Sequence, residues 1–183
     1  MINQPAQKQQ GGRDNRTKIM TNRIISIVFV LVISFIATLP QQAALDSTVP
    51  YPDGYRKWVH VGSTLVGPQS PFFKTSGGIH HIYANDKAMK GYETGKFPDG
   101  AILVFDLLET REINGATIEG PRQRIDVMLK DARRFPNTGG WGFERFLGDS
   151  ETDRPLTEEH RALCFSCHEK RKAQDFVFSM FRR

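Results

Sequence analysis

Cysteine is scarce in this sequence: the 183 residues contain only two, and both lie within one stretch of four residues. This excludes a disulfide framework that links distant parts of the fold.

Long apolar runs are lacking as well, because the run over residues 24–39 has 16 residues, whereas a membrane-spanning helix needs about 20. Neither sign of charge dominates once the N-terminus is set aside. The chain has 25 Lys and Arg against 20 Asp and Glu, and without residues 1–43 the numbers are 20 and 19. The net positive charge therefore gives no support to nucleic-acid binding.

The two cysteines and a histidine form the pentad CFSCH at residues 164–168. This C-x-x-C-H spacing is the attachment pattern of a c-type haem, in which each thiol forms a thioether with one vinyl group of the porphyrin. We expect one haem, attached through Cys164 and Cys167. His168 follows Cys164 by four residues and so lies on the same helix face, where it would bind the iron. Three alternatives stay open: a buried structural pair of cysteines, a redox-active disulfide, and a zinc site with a further donor such as His160.

The N-terminal segment predicts export. Residues 1–23 are polar and basic, residues 24–39 are apolar, and small residues follow Pro40. This order is typical of a secretory signal peptide, but the apolar run is a little long for the core of a signal peptide, so retention as an anchor over residues 24–40 is the alternative. We therefore divide the chain into a signal peptide or signal anchor, residues 1–44, and a haem domain, residues 45–183. Both readings predict a periplasmic domain whose only membrane contact is the N-terminal segment, if it is uncleaved.

The rest of the chain predicts an α+β domain with a predominantly antiparallel sheet of about five strands. Alternating or continuous apolar patterns indicate strands over residues 56–65, 78–84, 101–109, 124–130 and 141–147. Asn114-Gly115 is typical of a hairpin turn. Helices are expected over residues 86–94 and from Thr157, a capping residue, through the pentad to about Lys172. The tail, residues 175–183, has a methionine, Met180, that reaches the haem only if the chain reverses tightly.

Several short motifs accompany the pentad in a characteristic order. They are Tyr51-Pro52, Tyr55-Arg56, residues 81–85 (HIYAN), residues 97–100 (FPDG), Lys130-Asp131 and residues 138–144 (TGGWGFE). With this order the chain resembles the cytochrome P-460 family over roughly residues 50–170. The resemblance implies an antiparallel β fold, a homodimer and a five-coordinate haem c. It also implies that the protein oxidises hydroxylamine or nitric oxide, or binds diatomic gases.

Family members that oxidise hydroxylamine link a lysine side chain to the haem ring. Three lysines lie in the corresponding region, Lys87, Lys90 and Lys96, but the register leaves residues 92–94 nearest the expected position. A solvated helix face would account for these lysines equally well. Without the cross-link, the resemblance favours a gas-binding haem.

Further candidates for the haem pocket come from residue chemistry. The catalytic residues stay unknown, with Glu144, Lys90 and Lys96 as candidates. Aromatic residues that could cover the iron are Phe72, Phe73, Phe97 and Phe135; polar ones that could handle protons are Glu144, Arg124 and Lys130. His80 and His81 should point to opposite faces of a strand, so that one of them could approach the pocket. Met89 and Met128 are further thioethers that could reach the iron.

Three functions fit these observations. The first is an exported mono-haem cytochrome with an open iron site that binds or oxidises hydroxylamine or nitric oxide and passes electrons to a periplasmic redox partner. The second is a protein that binds nitric oxide or carbon monoxide without turnover. The third is a simple electron-transfer cytochrome, which requires a sixth ligand from the protein.

Overall fold

Five antiparallel strands follow one another both along the chain and across one sheet, in the order β1-β2-β3-β4-β5. The computed structural model describes residues 48–182. The strands are β1 (Val59–Val66), β2 (Gly78–Ala84), β3 (Ile102–Ile113), β4 (Ala116–Lys130) and β5 (Trp141–Leu147). The predicted α+β class is confirmed, and β3 is the central strand.

The hairpin between β3 and β4 turns at Asn114 and Gly115, which have φ angles of 53° and 77°. Positive φ at both positions is the requirement of the turn that Asn-Gly favours. Both strands are longer than predicted, because pairing continues to Ile113 and Ala116 beside the turn. The sequence pattern missed these ends because their side chains are exposed on both faces.

Three α-helices flank the strands: α1 (Phe73–Ser76), α2 (Asp86–Thr94) and α3 (Glu158–His168). The Asn85 side chain caps α2, and Thr157 caps α3. The prediction that the last helix continues to Lys172 is wrong. A 3-10 helix, Glu169–Gln174, takes over after His168, and Arg171 has non-helical angles within it. The N–H of Phe176 donates to the Arg171 carbonyl, which closes this 3-10 helix, and the chain turns back after it.

The sheet is covered on both faces near β5. One apolar cluster includes Trp141 and Phe143, and the other includes Phe146. Since neighbouring residues of a strand point to opposite faces, β5 contributes to both clusters. The predicted burial of these three aromatic residues is confirmed. β4 differs: Ile125, Val127 and Leu129 are buried beside Phe146, and the residues between them face a cavity.

Within residues 48–182, no helix has the length and apolar character needed to cross a membrane. The predicted signal peptide or anchor, residues 1–44, lies outside the described residues.

Candidate haem site

A cavity of about 660 Å³ lies between α3, the chain that follows it and one face of the sheet. This volume is in the range of cofactor sites in proteins, about 300–1,000 Å³. The walls bring together the pentad (Cys164, Cys167, His168), the tail (Val177, Phe178, Ser179) and residues of β2 to β5, among them His80, Phe105, Asp126, Met128, Phe143 and Arg145. The lining is mainly apolar, with polar groups concentrated at Arg124, Asp126 and Arg145.

Both cysteines are free thiols on this wall, Cys164 half-buried and Cys167 exposed. Burial raises the pKa of the Cys164 thiol, and the nearby Asp126 carboxylate adds to the effect. The capped N-terminus of α3 fixes where the helix begins, so the two sulfurs and the His168 ring are presented to one cavity by one rigid element. Attachment of one haem through this pentad would require such an arrangement.

His168 is the best-oriented group of the site. Its Nδ1 lies 2.7 Å from the Phe176 carbonyl oxygen, and because a carbonyl can only accept, Nδ1 must carry the proton. Nε2 then keeps its lone pair for a metal. The ring also contacts Phe143 and Phe178, with ring centroids 5.2 and 5.0 Å away. Burial lowers the pKa of His168, which favours the neutral form that ligates.

The sheet side of the cavity holds a carboxylate that is absent from the candidates predicted from the sequence. Asp126 on β4 accepts a forked pair of hydrogen bonds from Arg145, at 2.5 and 3.1 Å, and one from Arg124 at 3.0 Å. The Asp126 and Arg145 side chains keep 29% and 30% of their surface exposed. Alternation along β4 could have found this group, since Asp126 lies between two buried residues and so faces the other way.

His80 also lines the cavity, and His81 lies on the opposite face, as alternation predicts. The Nε2–H of His80 donates to the Ser76 carbonyl at 2.5 Å, and its ring lies 4.3 Å from that of Phe105. Burial lowers the pKa of His80, so the ring is neutral with a lone pair on Nδ1. His81 instead contacts Ser63 at 2.7 Å and Glu119 at 2.8 Å, away from the cavity.

The three candidate catalytic residues are not brought together. Glu144 is 1% exposed, and although the cavity touches its residue, the side chain points to the other face of β5 from Arg145. Its two oxygens accept from the Arg145 N–H and from Arg161 Nη2. Lys90 and Lys96 are exposed around α2. Among the described residues, no lysine lines the cavity, and Lys87 donates to the Asp99 carbonyl.

Of the aromatic candidates, only Phe72 lines the cavity. Phe73 is 43% exposed, and Phe97 and Phe135 pack in the two apolar clusters. The aromatic content of the sequence does not specify the strand register, which places Phe105 and Phe143 on the cavity face instead.

Of the remaining candidates, one lines the cavity and the others lie away from it. Met128 lines the cavity, whereas Met89 packs against the first apolar cluster. Met180 is 74% exposed. Lys130 is turned away from the cavity, towards Asp175.

The zinc alternative gains no support. His160 is engaged in capping α3, where its Nδ1 accepts from the Thr157 N–H. In the part of the chain that the structure describes, no group of three or more His, Cys, Asp or Glu side chains is arranged to hold a metal ion. The donor set fits a haem instead: two thiols, one imidazole with a committed Nδ1, and a large apolar cavity beside them.

Comparison with known proteins agrees with this geometry. No curated protein matches the chain. The family model named Cytochrome P460 matches residues 52–179, well over half of the chain and all of the sheet, α3 and the cavity walls. A cytochrome carries haem iron, and the pentad and the cavity are where this chain would hold it. The chain therefore belongs to the Cytochrome P460 family.

Proposed function

We propose that the protein is an exported mono-haem c-type cytochrome that binds small nitrogen species, nitric oxide or hydroxylamine, at an open site on the iron. The observation that carries the proposal is the meeting of Cys164, Cys167 and His168 on one wall of the 660 Å³ cavity, with His168 Nδ1 bound to a backbone carbonyl. The thiols would attach the porphyrin, and His168 Nε2 would occupy one axial position. Haem iron supplies ligand binding and one-electron chemistry when bound.

The chain's own residues favour binding over turnover. Phe72, Phe105 and Val66 keep much of the cavity lining apolar, which suits a small neutral ligand. No lysine of the described cavity lining is placed to link to the ring, and this removes the main support for the lysine-linked, oxidising version of the family. Asp126 neutralises one of the two positive charges of Arg124 and Arg145, so anions gain less there than the two arginines alone would offer.

Oxidation of hydroxylamine is the second candidate, and His80 is the observation that favours it. This oxidation releases protons together with electrons, and a neutral imidazole on the cavity wall can accept a proton. The electrons would pass to a periplasmic redox partner. Catalysis would then rest on His80, not on Glu144.

The optical spectrum of the purified ferrous protein tests the proposal. Mass spectrometry should show an increase by the mass of one haem, which indicates covalent attachment. We expect the optical spectrum to be that of an ordinary high-spin haem c and to change when nitric oxide is added. A Soret band shifted far to the red would indicate a lysine cross-link and favour the oxidase, whereas a six-coordinate low-spin spectrum, with Met128 as ligand, would favour electron transfer. Chain without covalent haem would overturn the proposal. His168→Ala should remove the native axial ligation, and Cys167→Ser should leave one thioether.

Periplasmic location and a homodimer are part of the same proposal. Residues 1–44 support export, and the family resemblance supports the dimer. Fractionation of cells and light scattering of the purified protein test them separately.

A further inference from the structure

The chain after the haem pentad reverses at two consecutive residues in left-handed conformation. Asp175 has a φ of 52° and Phe176 a φ of 68°. Asp tolerates this region, but a bulky residue such as Phe adopts it rarely, and it does so only where the surroundings fix it. The reversal returns Val177 and Phe178 to the cavity. The position of this chain reversal sets the direction of the Phe176 carbonyl group.

A buried ion pair fixes the first of the two residues. Lys130 Nζ lies 2.8 Å from Asp175 Oδ1, and these residues are 8% and 6% exposed. The Phe97 N–H donates to Asp175 Oδ2 at 2.8 Å, and the Trp141 indole N–H donates to the Asp175 carbonyl at 2.9 Å. Lys130 also donates to the Gly139 carbonyl at 2.9 Å. Every oxygen of Asp175 is thus held from a different part of the fold.

Close packing fixes the second residue. A Cβ atom at Gly139, which has a φ of +64°, would lie 2.2 Å from the Phe176 ring, so the ring fits only because position 139 is glycine. The Phe176 N–H donates to the Arg171 carbonyl at 2.8 Å. With ring and N–H fixed, the remaining polar group of Phe176, its carbonyl, lies 2.7 Å from His168 Nδ1.

We propose that Lys130 and Asp175 are positioning residues for the iron ligand: their ion pair holds the reversal that sets the length and direction of the His168–Phe176 hydrogen bond. Such a bond on the far nitrogen of a ligating histidine orients the ring and increases its basicity, which strengthens the bond to the metal. The sequence predicts Lys130 as a polar residue of the haem pocket, whereas the role proposed here is to support His168 from behind. The inference rests on the proposed haem attachment.

The frequency of the iron–histidine stretch, measured by resonance Raman spectroscopy on the ferrous haem-loaded protein, tests the inference. We compare the wild type with Lys130→Met, Asp175→Asn and the double variant. The matched control is Lys57→Met, which replaces an exposed lysine on the 3-10 helix Tyr55–Lys57. Each of the three variants should lower the frequency or broaden the band and raise the reduction potential, because a weaker hydrogen bond makes His168 a weaker donor. The control should do neither.

An unmoved band and potential in folded, haem-loaded variants would overturn the inference and leave the proposed function intact. A wild type without covalent haem would instead overturn the proposed function. Lys130→Met leaves a buried carboxylate unpaired and could fail to fold. The double variant leaves no unpaired charge. In that case, the iron–histidine stretching band of the double variant tests the inference.

Discussion

Glu144 is the residue for which sequence and structure give opposing roles, and its replacement by glutamine separates them. The sequence offers it as a catalytic group, whereas the structure places it at 1% exposure with a carboxylate that binds Arg161 at 2.8 Å and lies 3.8 Å from Arg154. If the structural role is right, Glu144→Gln loses stability and keeps ligand binding.

The expected loss follows from the partners. Glutamine keeps an acceptor for the Arg145 N–H but loses the charge that Arg161 and Arg154 face. A hydrogen bond to a charged group contributes about 1.5–3 kcal/mol. The two arginines retain 24% and 31% side-chain exposure, so water compensates part of the loss. We therefore expect a loss of about 2 kcal/mol, which lowers Tm by about 4–8 °C in a domain of this size.

The assay is thermal unfolding followed by circular dichroism, together with optical titration of the haem-loaded protein with nitric oxide. Glu158→Gln is the matched control, since Glu158 binds the same Arg161 at 3.1 Å but its side chain is 82% exposed. An exposed pair of this kind contributes about 0.5 kcal/mol or less. Ligand binding or turnover that collapses in Glu144→Gln while Tm stays at the wild-type value would refute the structural role and restore Glu144 as a functional group.

Three further predictions concern the cavity and its support. Because burial lowers the pKa of His80, the unfolded chain binds the proton more readily, so His80 adds stability above pH 6.5 that is lost on acidification. Urea unfolding from pH 8 to 5 should show a steeper loss in the wild type than in His80→Gln. Gly139→Ala, at a φ of +64° and against the Phe176 ring, should destabilise the fold by about 1 kcal/mol or more, whereas an unchanged urea midpoint would contradict the packing. Asp126→Asn should expose the positive charge of Arg145 and tighten azide binding to the ferric protein in an optical titration. We expect little change in Tm, because the Arg145 and Asp126 side chains are 30% and 29% exposed and water screens the pair. Unchanged or weaker azide binding would contradict this interpretation of the site.

Much of the fold was predictable because it depends on local chemistry. The caps at Asn85 and Thr157 mark where α2 and α3 begin, and Asn114-Gly115 places the central hairpin. β2 and β5 occupy the predicted residues. The prediction that the last helix continues to Lys172 failed because the chain changes to a 3-10 helix after His168, with non-helical angles at Arg171, and the sequence pattern does not distinguish the two kinds of helix.

Phe72 and Arg124 line the cavity, but most of the other aromatic and polar candidates lie elsewhere, for a different reason. A shift of one residue in register moves every side chain of a strand to the other face. The periodic pattern identifies the alternation but not which face meets α3. This is why Phe105 and Asp126 were missed and why Glu144, on β5, was placed in the pocket.

The sequence by itself determined the proposed haem attachment: two thiols three residues apart and a histidine on the same helix face are fixed by the helical repeat, whatever surrounds them. Only the tertiary structure decided what supports that chemistry. The carbonyl of Phe176 and the Lys130–Asp175 pair come from segments up to 45 residues apart. Their meeting depends on sheet register and on one tight reversal of the chain, and no local pattern encodes either.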